Sequence, residues 1–539
     1  MNRLLMIAVC GFLSVQAYAQ EQKFTHQDTL RGSITPERAW WDLTYYHLDI
    51  DVNPDKKHIS GTNTVHYKVL KEHHVMQIDL QSPMQLTQAI QNGKQLSIKH
   101  DGNAHFISLP KQQKVGSLQS VTLHYQGHPK EAINAPWDGG LSWKKDENDN
   151  HFIATSCQGL GASVWWPNKD HMYDEVDSML ISVTVPKGLS NVSNGRLREL
   201  EESETHVTSH WFVNNPINNY GVNINIGDYV NFSEVYQGEN GPLDMDYYVL
   251  SYNLEKAKVH FNDAPKMMKA FEHWFGPYPF YEDSFKLVEV PYLGMEHQSS
   301  VTYGNQYTKG YLNSDISGTG WGLKFDFIII HEAGHEWFAN NITNKDIADM
   351  WIHESFTSYS ENLFLDYYYG KEAGAEYAIG KGQRIRNDSP IIGHYNVNNE
   401  GSGDMYNKGQ YMLHTLRTLL EDDEKWRQIL RGMNKTFYHQ TVTTQQIENY
   451  LSDETGIDLT AFFNQYLRDV RIPTLEYKLE KEGLSFRWIN IVEDFDMPVL
   501  VEINGETKWL FPNSQWKTEK GNITHFEVSK NIFANTKQL

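Results

Sequence analysis

The run HEAGH at residues 331–335 restricts what this chain can fold into more than any other stretch. A helix turns by about 100° per residue, so His331 and His335 point the same way and can bind one ion. Glu332 then lies beside that ion, which suits a general base acting on a water that the metal activates. The apolar run at residues 325–330 predicts that this helix crosses a core. The alternative reading is a polar helical turn that holds two histidines by chance.

A catalytic zinc site needs a third protein ligand and leaves its fourth position open for water. Glu354 is the candidate, because residues 336–353 place 18 residues between it and His335. We expect two antiparallel helices, joined through residues 340–344, to bring both histidines and this carboxylate together. The sequence therefore predicts a metal site formed by His331, His335 and Glu354.

Charge and composition exclude some classes of partner. The formal net charge is −21, which argues against a nucleic acid or an anionic membrane surface. A negative field favours cationic ligands such as the amino termini of peptides, although solubility alone explains most of these charges. Aromatic residues make up 13% of the chain and hydrophobic residues 40%, which is ample for packed cores. The length of 539 residues predicts about three or four domains.

The first 19 residues have the pattern of a cleaved export signal. A short basic start precedes an apolar centre at residues 4–15, and Ala17 and Ala19 form a small-x-small cleavage site. No later stretch approaches 18 apolar residues, so no transmembrane segment is expected in the mature chain. Cys157 is the cysteine that remains after cleavage, and no internal disulfide is possible. We expect an exported protein, either periplasmic or secreted.

Periodicity divides the remaining chain into three predicted domains. In residues 20–252 apolar residues alternate with polar ones between turn residues, which predicts a β saddle or sandwich. In residues 253–471 apolar residues recur at helical spacing, which predicts the domain that carries the metal site. In residues 472–539 two hairpins are predicted, one of them around Asn504-Gly505, as in a small all-β domain. The predicted fold class is multidomain α+β.

The HEAGH run and Glu354 together resemble the motif of the M1 zinc aminopeptidases, which belong to the gluzincin group. The resemblance covers nearly all of the predicted mature chain. It implies a thermolysin-like, mainly helical catalytic domain between an N-terminal β saddle and a small C-terminal β-sandwich. Larger members add a helical C-terminal domain, which we do not expect in this chain. The resemblance also implies one zinc ion per chain.

A second family motif, Gly-x-Met-Glu-Asn, lies on an edge strand that faces the zinc. The corresponding run here is LGMEH, so Met295 and Glu296 match, whereas Leu293 and His297 depart from the motif. The resemblance implies that Glu296 binds the amino terminus of a substrate and that the backbone at Gly294 and Met295 lines the peptide groove. Without the resemblance, Glu296 is an exposed carboxylate in a loop.

Three further side chains are candidates for the site. The family has a glutamine or glutamate in a loop of the β domain that reaches the cleft, and Gln158 matches it; on spacing alone this is a glycine-rich loop. The family's Tyr-x-Lys-Gly motif is matched by Tyr406, Lys408 and Gly409, and its tyrosine donates to the oxyanion. The alternative is that Tyr406 is a packing residue at the start of a helix. Glu361 lies two helical turns after the third ligand and can accept the second N–H of a metal-binding histidine, or is a surface residue.

These observations predict an exported zinc aminopeptidase that acts on peptides with a free amino terminus. His331, His335 and Glu354 hold the zinc, Glu332 is the general base, and Tyr406 stabilises the oxyanion. Three alternatives stay open: an endopeptidase, an epoxide hydrolase on the same site, and a peptide-binding protein without turnover. The oligomeric state is not determined by these patterns.

Overall fold

The computed structural model of this protein describes residues 23–539, and it is a mixed α+β fold with a β-rich N-terminal part and a helical catalytic part. The predicted signal peptide at residues 1–19 lies outside the described residues. Within residues 23–539, no helix is both long and apolar enough to cross a lipid bilayer.

The N-terminal part begins with two short helices and continues as strands. The helices are α1 His26–Gly32 and α2 Pro36–Ala39. The strands are β1 Trp41–Asn53, β2 His58–Val69, β3 Val75–Asp79, β4 Gln85–Gln91, β5 Lys94–Gln95, β6 Ser97–Asp101, β7 Ala104–Ser108, β8 Leu118–Gly127, β9 Gly140–Lys145, β10 His151–Ser156, β11 Met179–Pro186, β12 Ser190–Val192, β13 Arg196–Glu202, β14 His206–Val213, β15 Asn225–Gly227, β16 Tyr229–Gly238 and β17 Gly241–Leu250.

The largest sheet of this part has the strand order β13-β14-β11-β1-β2-β8-β4-β5. Leu48, Ile50 and Val52 alternate along β1 and are buried, as their period of two predicts. A second sheet with the order β12-β15-β10-β9 packs with it around a common apolar core. Strand β10 ends at Ser156, so the loop that carries Gln158 leaves this second sheet toward the catalytic part.

Helices dominate the catalytic part. They are α3 Leu254–His260, α4 Asp263–Phe275, α5 Phe327–Gly334, α6 Trp351–Tyr369, α7 Lys371–Gly382, α8 Asp404–Leu420, α9 Asp423–Thr436, α10 Thr444–Thr455 and α11 Thr460–Leu467. The strands are β18 Phe285–Glu289, β19 Gly294–Met295, β20 Val301–Tyr303, β21 Ile342–Asn344 and β22 Gln440–Val442. The helical spacing predicted for the chain from residue 253 is confirmed, and a short break separates α3 from α4.

One sheet joins strands from both sides of residue 252. Its order is β16-β17-β18-β20-β19, and β17 pairs in parallel with β18. Strand β19 is at the edge, where it pairs only with β20 among the described strands. The predicted domain boundary at residue 252 thus lies within a hydrogen-bonded unit and stays a prediction. The sheet holds β19 against the helix that carries HEAGH.

The C-terminal part is all β, as predicted. Its strands are β23 Thr474–Glu480, β24 Gly483–Ile489, β25 Val499–Ile503, β26 Glu506–Leu510, β27 Lys517–Lys520, β28 Phe526–Val528 and β29 Asn535–Gln538. They form two sheets, with the orders β27-β24-β23-β29 and β26-β25-β28. The hairpin predicted at Asn504-Gly505 is confirmed, because β25 and β26 pair in antiparallel register across it. This part packs on α8, where Tyr411 stacks on Phe533.

The helices around the predicted site pack closely through glycines. A Cβ atom at Gly334 of α5 would lie 2.6 Å from the Ser360 hydroxyl of α6. A Cβ atom at Gly409 of α8 would overlap the Ser355 hydroxyl on the same helix α6. Because a larger residue would force these helices apart, both glycines keep α6 close to its two neighbours.

Candidate metal centre

Helix α5 positions the first two histidines. It begins at Phe327, and the Asp326 side chain caps it by accepting from the Ile329 backbone N–H at 3.1 Å. All its residues are buried, as the apolar run before the motif predicts. His331 lies in the last turn and His335 directly follows it, still with helical dihedral angles.

The backbone then leaves the α-helical path. Residues 336–341 form a π-helical turn in which Phe338 and Ala339 have non-helical dihedral angles. The Phe338 carbonyl accepts a hydrogen bond from Nδ1 of His335 at 3.0 Å. A carbonyl can only accept, so His335 carries its proton on Nδ1 and offers the lone pair of Nε2. The helix break therefore orients the second imidazole.

Helix α6 supplies the predicted third ligand from its first turn. Glu354 Oε2 lies 3.7 Å from His331 Nε2 and 3.4 Å from His335 Nε2. This Oε2 atom is buried and, within the part of the chain that the structure describes, has no hydrogen-bond partner. In a tetrahedral zinc site with bonds near 2.0 Å, ligand atoms lie roughly 3.3 Å apart. The three side chains therefore fit one zinc ion, and all their ligand atoms lie within 4.8 Å of one another.

Glu361 holds the other imidazole. His331 Nδ1 donates to Glu361 Oε1 at 2.8 Å, while Tyr377 and Lys381 donate to Oε2 at 2.6 and 2.7 Å. Burial disfavours the charged carboxylate, but Lys381 and His331 hold the pKa of Glu361 below its ordinary value. An ionised Glu361 keeps the His331 proton on Nδ1, so that Nε2 faces Glu354 as an electron-pair donor.

The centre favours positive charge. Burial lowers the pKa of each imidazole, yet the Glu354 and Glu361 carboxylates raise the pKa of His331 to about 10. Glu354 likewise raises the pKa of His335 against the effect of burial. A site that attracts protons to two buried histidines also attracts a divalent cation, which replaces those protons.

Glu332 is buried beside the metal ligands and lines the same cleft. Burial raises its pKa to about 7, with His331 opposing the rise and Glu296 adding to it. Strand β19 crosses directly above, since a Cβ atom at Gly294 would lie 3.4 Å from Glu332 Cγ and 2.5 Å from a methyl group of Ile328. Only glycine permits this approach of the edge strand to the helix.

Gln158 connects Glu296 to the metal centre. Its amide nitrogen donates to Glu296 Oε1 at 2.6 Å and to Glu354 Oε1 at 3.0 Å. Two carboxylates can only accept hydrogen bonds, so the amide atom that lies between them must be the nitrogen. The amide oxygen then stays available to accept a hydrogen bond. Burial raises the pKa of Glu296. The sequence placed Gln158 in the cleft but did not predict this bridge.

Two residues of the edge-strand motif are buried, Met295, which matches the family, and His297, which departs from it. Met295 lies in β19 and is buried, as a residue of that strand must be. His297 is also buried, burial lowers its pKa to about 3, and its Nδ1 contacts Thr302 Oγ1 at 3.3 Å. The Asn340 amide donates to the Glu296 carbonyl at 3.0 Å, which holds the backbone between them. His297 therefore packs inside and stays out of the cleft.

Tyr406 lies in the first turn of α8, and its ring stacks on His331 with the centroids 6.1 Å apart. Burial, and next the Glu354 carboxylate, hold the pKa of Tyr406 well above its ordinary value, so the hydroxyl keeps its proton and can donate. Ser355 anchors this turn by donating to the Met405 carbonyl at 2.7 Å. Lys408 points away and donates to the Asp469 carbonyl.

All ten predicted site residues lie in or beside one cleft of about 1230 Å³. Further residues line it that sequence reasoning missed: Trp137, Asp138, Lys381, Arg384 and Glu400. Lys381 lies in the last turn of α7 and the other four belong to loops, so no spacing pattern relates them to the motif residues. The loop at residues 383–403 is fastened by the Asp404 carboxylate, which accepts from the Arg386 backbone N–H, and by Asn398, which donates to the Gly159 carbonyl.

Comparison with known proteins agrees with this geometry. The profile of the peptidase family M1 domain matches residues 259–466, which include the metal ligands, Glu296 and Tyr406. Residues 259–466 thus form a peptidase family M1 domain.

Several aminopeptidases and related proteins are similar to this chain at low identity. It is 21% identical over 448 residues to leucyl aminopeptidase of Saccharolobus solfataricus, covering 78% of the chain and 54% of that protein. It is 22% identical to leukotriene A-4 hydrolase of Xenopus laevis, and the match covers 77% of the chain and 68% of that protein. It is 24% identical to tricorn protease-interacting factor F2 of Thermoplasma acidophilum, and that match covers 46% of the chain and 31% of that protein. The chain spans about half the length of the first of these relatives.

Solved structures show the same fold. An M1 zinc metallopeptidase from Deinococcus radiodurans, solved with bound Tyr-Ser-Ala, superposes with a TM-score of 0.69 at 20% identity. The superposition covers 81% of this chain and 96% of that one. The donor set of His331, His335 and Glu354 fits the zinc that such metallopeptidases carry.

We predict that Glu361→Gln weakens zinc binding by roughly 10–100-fold, because the His331 imidazole loses the group that orients it. Competition with a fluorescent zinc chelator measures this. The substitution also leaves the Lys381 charge buried and unpaired, so the melting temperature should fall. Adding Lys381→Met should recover the melting temperature without recovering zinc affinity. Glu372→Gln, at an exposed position of α7, is the control, and zinc affinity equal in all variants would contradict the prediction.

Proposed function

We propose that this chain is a zinc aminopeptidase that removes the first residue from peptides. The observation that carries the proposal is the bridge from Glu296 through Gln158 to Glu354. A substrate ammonium bound by Glu296 and the Gln158 oxygen lies one side chain away from a metal ligand. An ammonium held that close to the metal centre is what removal of a single amino-terminal residue requires.

His331, His335 and Glu354 would hold the zinc. When bound, the ion supplies Lewis acidity toward a water and toward the carbonyl oxygen of the scissile bond. The protein orients both imidazoles through Glu361 and the Phe338 carbonyl. This arrangement needs no rearrangement of the ligands on binding.

The remaining steps belong to protein side chains. Glu332 accepts a proton from the attacking water and delivers it to the leaving amine, as a general base and then a general acid. The Tyr406 hydroxyl donates to the oxygen of the scissile carbonyl as negative charge develops there, and loss of such a donor typically costs roughly 3–4 kcal/mol. Strand β19 offers backbone groups beside Glu332 for an extended peptide.

We predict that Glu332→Gln retains zinc and lowers kcat by roughly 10²–10⁴-fold, because the amide cannot accept the proton. Zinc content by mass spectrometry and hydrolysis of leucyl-coumarin measure the two effects. Zinc content equal to the parent with substantial residual hydrolysis would sink the role assigned to Glu332. Glu372→Gln again serves as the control for a change of charge.

We predict that Glu296→Gln lowers kcat/KM for peptides with a free amino terminus by about 100-fold, since the ammonium loses its charged partner. The parent protein should not cleave the same peptides when their amino terminus is acetylated. Mass spectrometry of products from paired free and acetylated peptides tests both statements. Equal cleavage of the two forms by the parent would favour an endopeptidase instead.

Two alternatives use the same residues. Likeness to leukotriene A-4 hydrolase makes an epoxide a second candidate substrate, but it offers no ammonium for Glu296 and Gln158. A peptide-binding protein without turnover would not need Glu332 and Tyr406 at the metal ligands. Zinc binding without hydrolysis of any peptide library would favour that alternative.

We also propose that the protein is exported, on the basis of its signal-like first 19 residues. Cleavage after Ala19 would leave Gln20 as the first residue. Amino-terminal sequencing of the protein from the extracytoplasmic fraction is expected to start at Gln20. A full-length chain found only in the cytoplasm would contradict export.

A further inference from the structure

Charge is distributed unevenly along the cleft. Among the described residues that line it, five carry carboxylates: Asp138, Glu296, Glu332, Glu354 and Glu400. The lysine and arginine side chains that line it are Lys381 and Arg384. An acidic cleft attracts the amino terminus of a peptide but repels a free carboxyl terminus.

The two cations differ in what they contact. Lys381 is buried and donates to Glu361 at 2.7 Å, so its charge is neutralised within the protein. Arg384 is exposed in the cleft, and its guanidinium has no carboxylate within ion-pair distance among residues 23–539. Two residues on, Arg386 pairs with Asp388 at 3.4 Å and does not line the cleft.

Arg384 reaches the cleft from the side of His331. Its backbone N–H donates to the Lys381 carbonyl at 3.0 Å in the turn that ends α7. Burial and the Glu361 carboxylate hold the pKa of Tyr377 well above its ordinary value, and the nearby Arg384 charge opposes that rise. Lys381 and Tyr377 both contact Glu361, which contacts His331. Arg384 therefore lines the cleft just beyond the end of α7, next to Lys381.

The proposed ammonium site lies next to a different metal ligand, Glu354. Gln158 contacts Glu354, and Glu296 is reached through Gln158. Ile316 and Arg384 line the cleft near α7, because Ser317 lies against Gly380 of that helix and Arg384 follows its last turn. A peptide whose amino terminus is bound at Glu296 then extends past the metal centre toward these residues. This direction rests on the proposed aminopeptidase function.

We propose that Arg384 binds the carboxyl-terminal carboxylate of short peptides, so that the cleft recognises both ends of its substrate. A guanidinium presents a planar set of donors that matches a carboxylate, and it has no internal partner to compete. An extended peptide advances by about 3.3–3.6 Å per residue, so the carboxylate reaches Arg384 at one particular length. The substrate class is therefore short oligopeptides with both termini free.

Binding is measured first, on the Glu332→Gln protein, so that the ligand is not consumed. The probes are Leu-Ala, Leu-Ala-Ala and Leu-Ala-Ala-Ala, each as the free acid and as the amide, and the method is titration calorimetry. We expect the free acid of one length to bind about tenfold more tightly than its amide, as a charge-assisted hydrogen bond implies. Adding Arg384→Gln should abolish that difference. Adding Arg386→Gln, a matched loss of charge outside the cleft, should preserve it.

Turnover is measured second, in the background with Glu332 intact. The ratio of kcat/KM between free acid and amide should fall to about one in Arg384→Gln, chiefly through KM, and should stay at the parent value in Arg386→Gln. Equal binding of acid and amide to the Glu332→Gln protein at every length overturns the proposal. So does an equal loss of the acid preference in both arginine variants. A binding preference without any peptide hydrolysis supports the role of Arg384 and refutes the aminopeptidase function, so the two failures are distinguishable.

Discussion

The catalytic part of this protein is organised around buried negative charge. Glu296, Glu332, Glu354 and Glu361 are all buried around two imidazoles. An ionised carboxylate removed from water is costly unless a positive charge or several donors compensate it. Lys381 compensates Glu361 with a full charge, and Gln158 offers one amide to both Glu296 and Glu354. Glu354 Oε2 has no hydrogen-bond partner among the described residues, and a metal cation would compensate its charge.

This requirement explains features of the surrounding fold. Residues with small side chains let α6 approach α5 and α8, so that Glu354 and Glu361 reach both histidines from one helix. The break after His335 frees a carbonyl to orient the second imidazole, which a continuous helix would have consumed in its own hydrogen bonds. The edge strand β19 approaches Glu332 because Gly294 carries no side chain. Each of these features brings a functional group closer to the metal centre.

Prediction succeeded where the chemistry depends on spacing along one element. His331 and His335 share one face of α5, and Glu354 and Glu361 share one face of α6, as helical spacing predicts. The approach of α6 to α5 was instead expected from the 18-residue gap of the motif. The β-hairpin at Asn504-Gly505 was also predictable, because its turn demands those residues.

Arg384, Glu400 and Trp137 belong to loops, and no period relates them to the motif residues. The direction of the Gln158 amide and the tautomers of both histidines depend on acceptors that come from distant segments. The sequence by itself determined the metal-binding side chains and the kinds of element that carry them, because helical and strand periodicity is a property of neighbouring residues. Only the tertiary structure decided how charge is distributed along the cleft and which cation is left without a partner, because ion pairing depends on contacts between segments that are far apart in the chain.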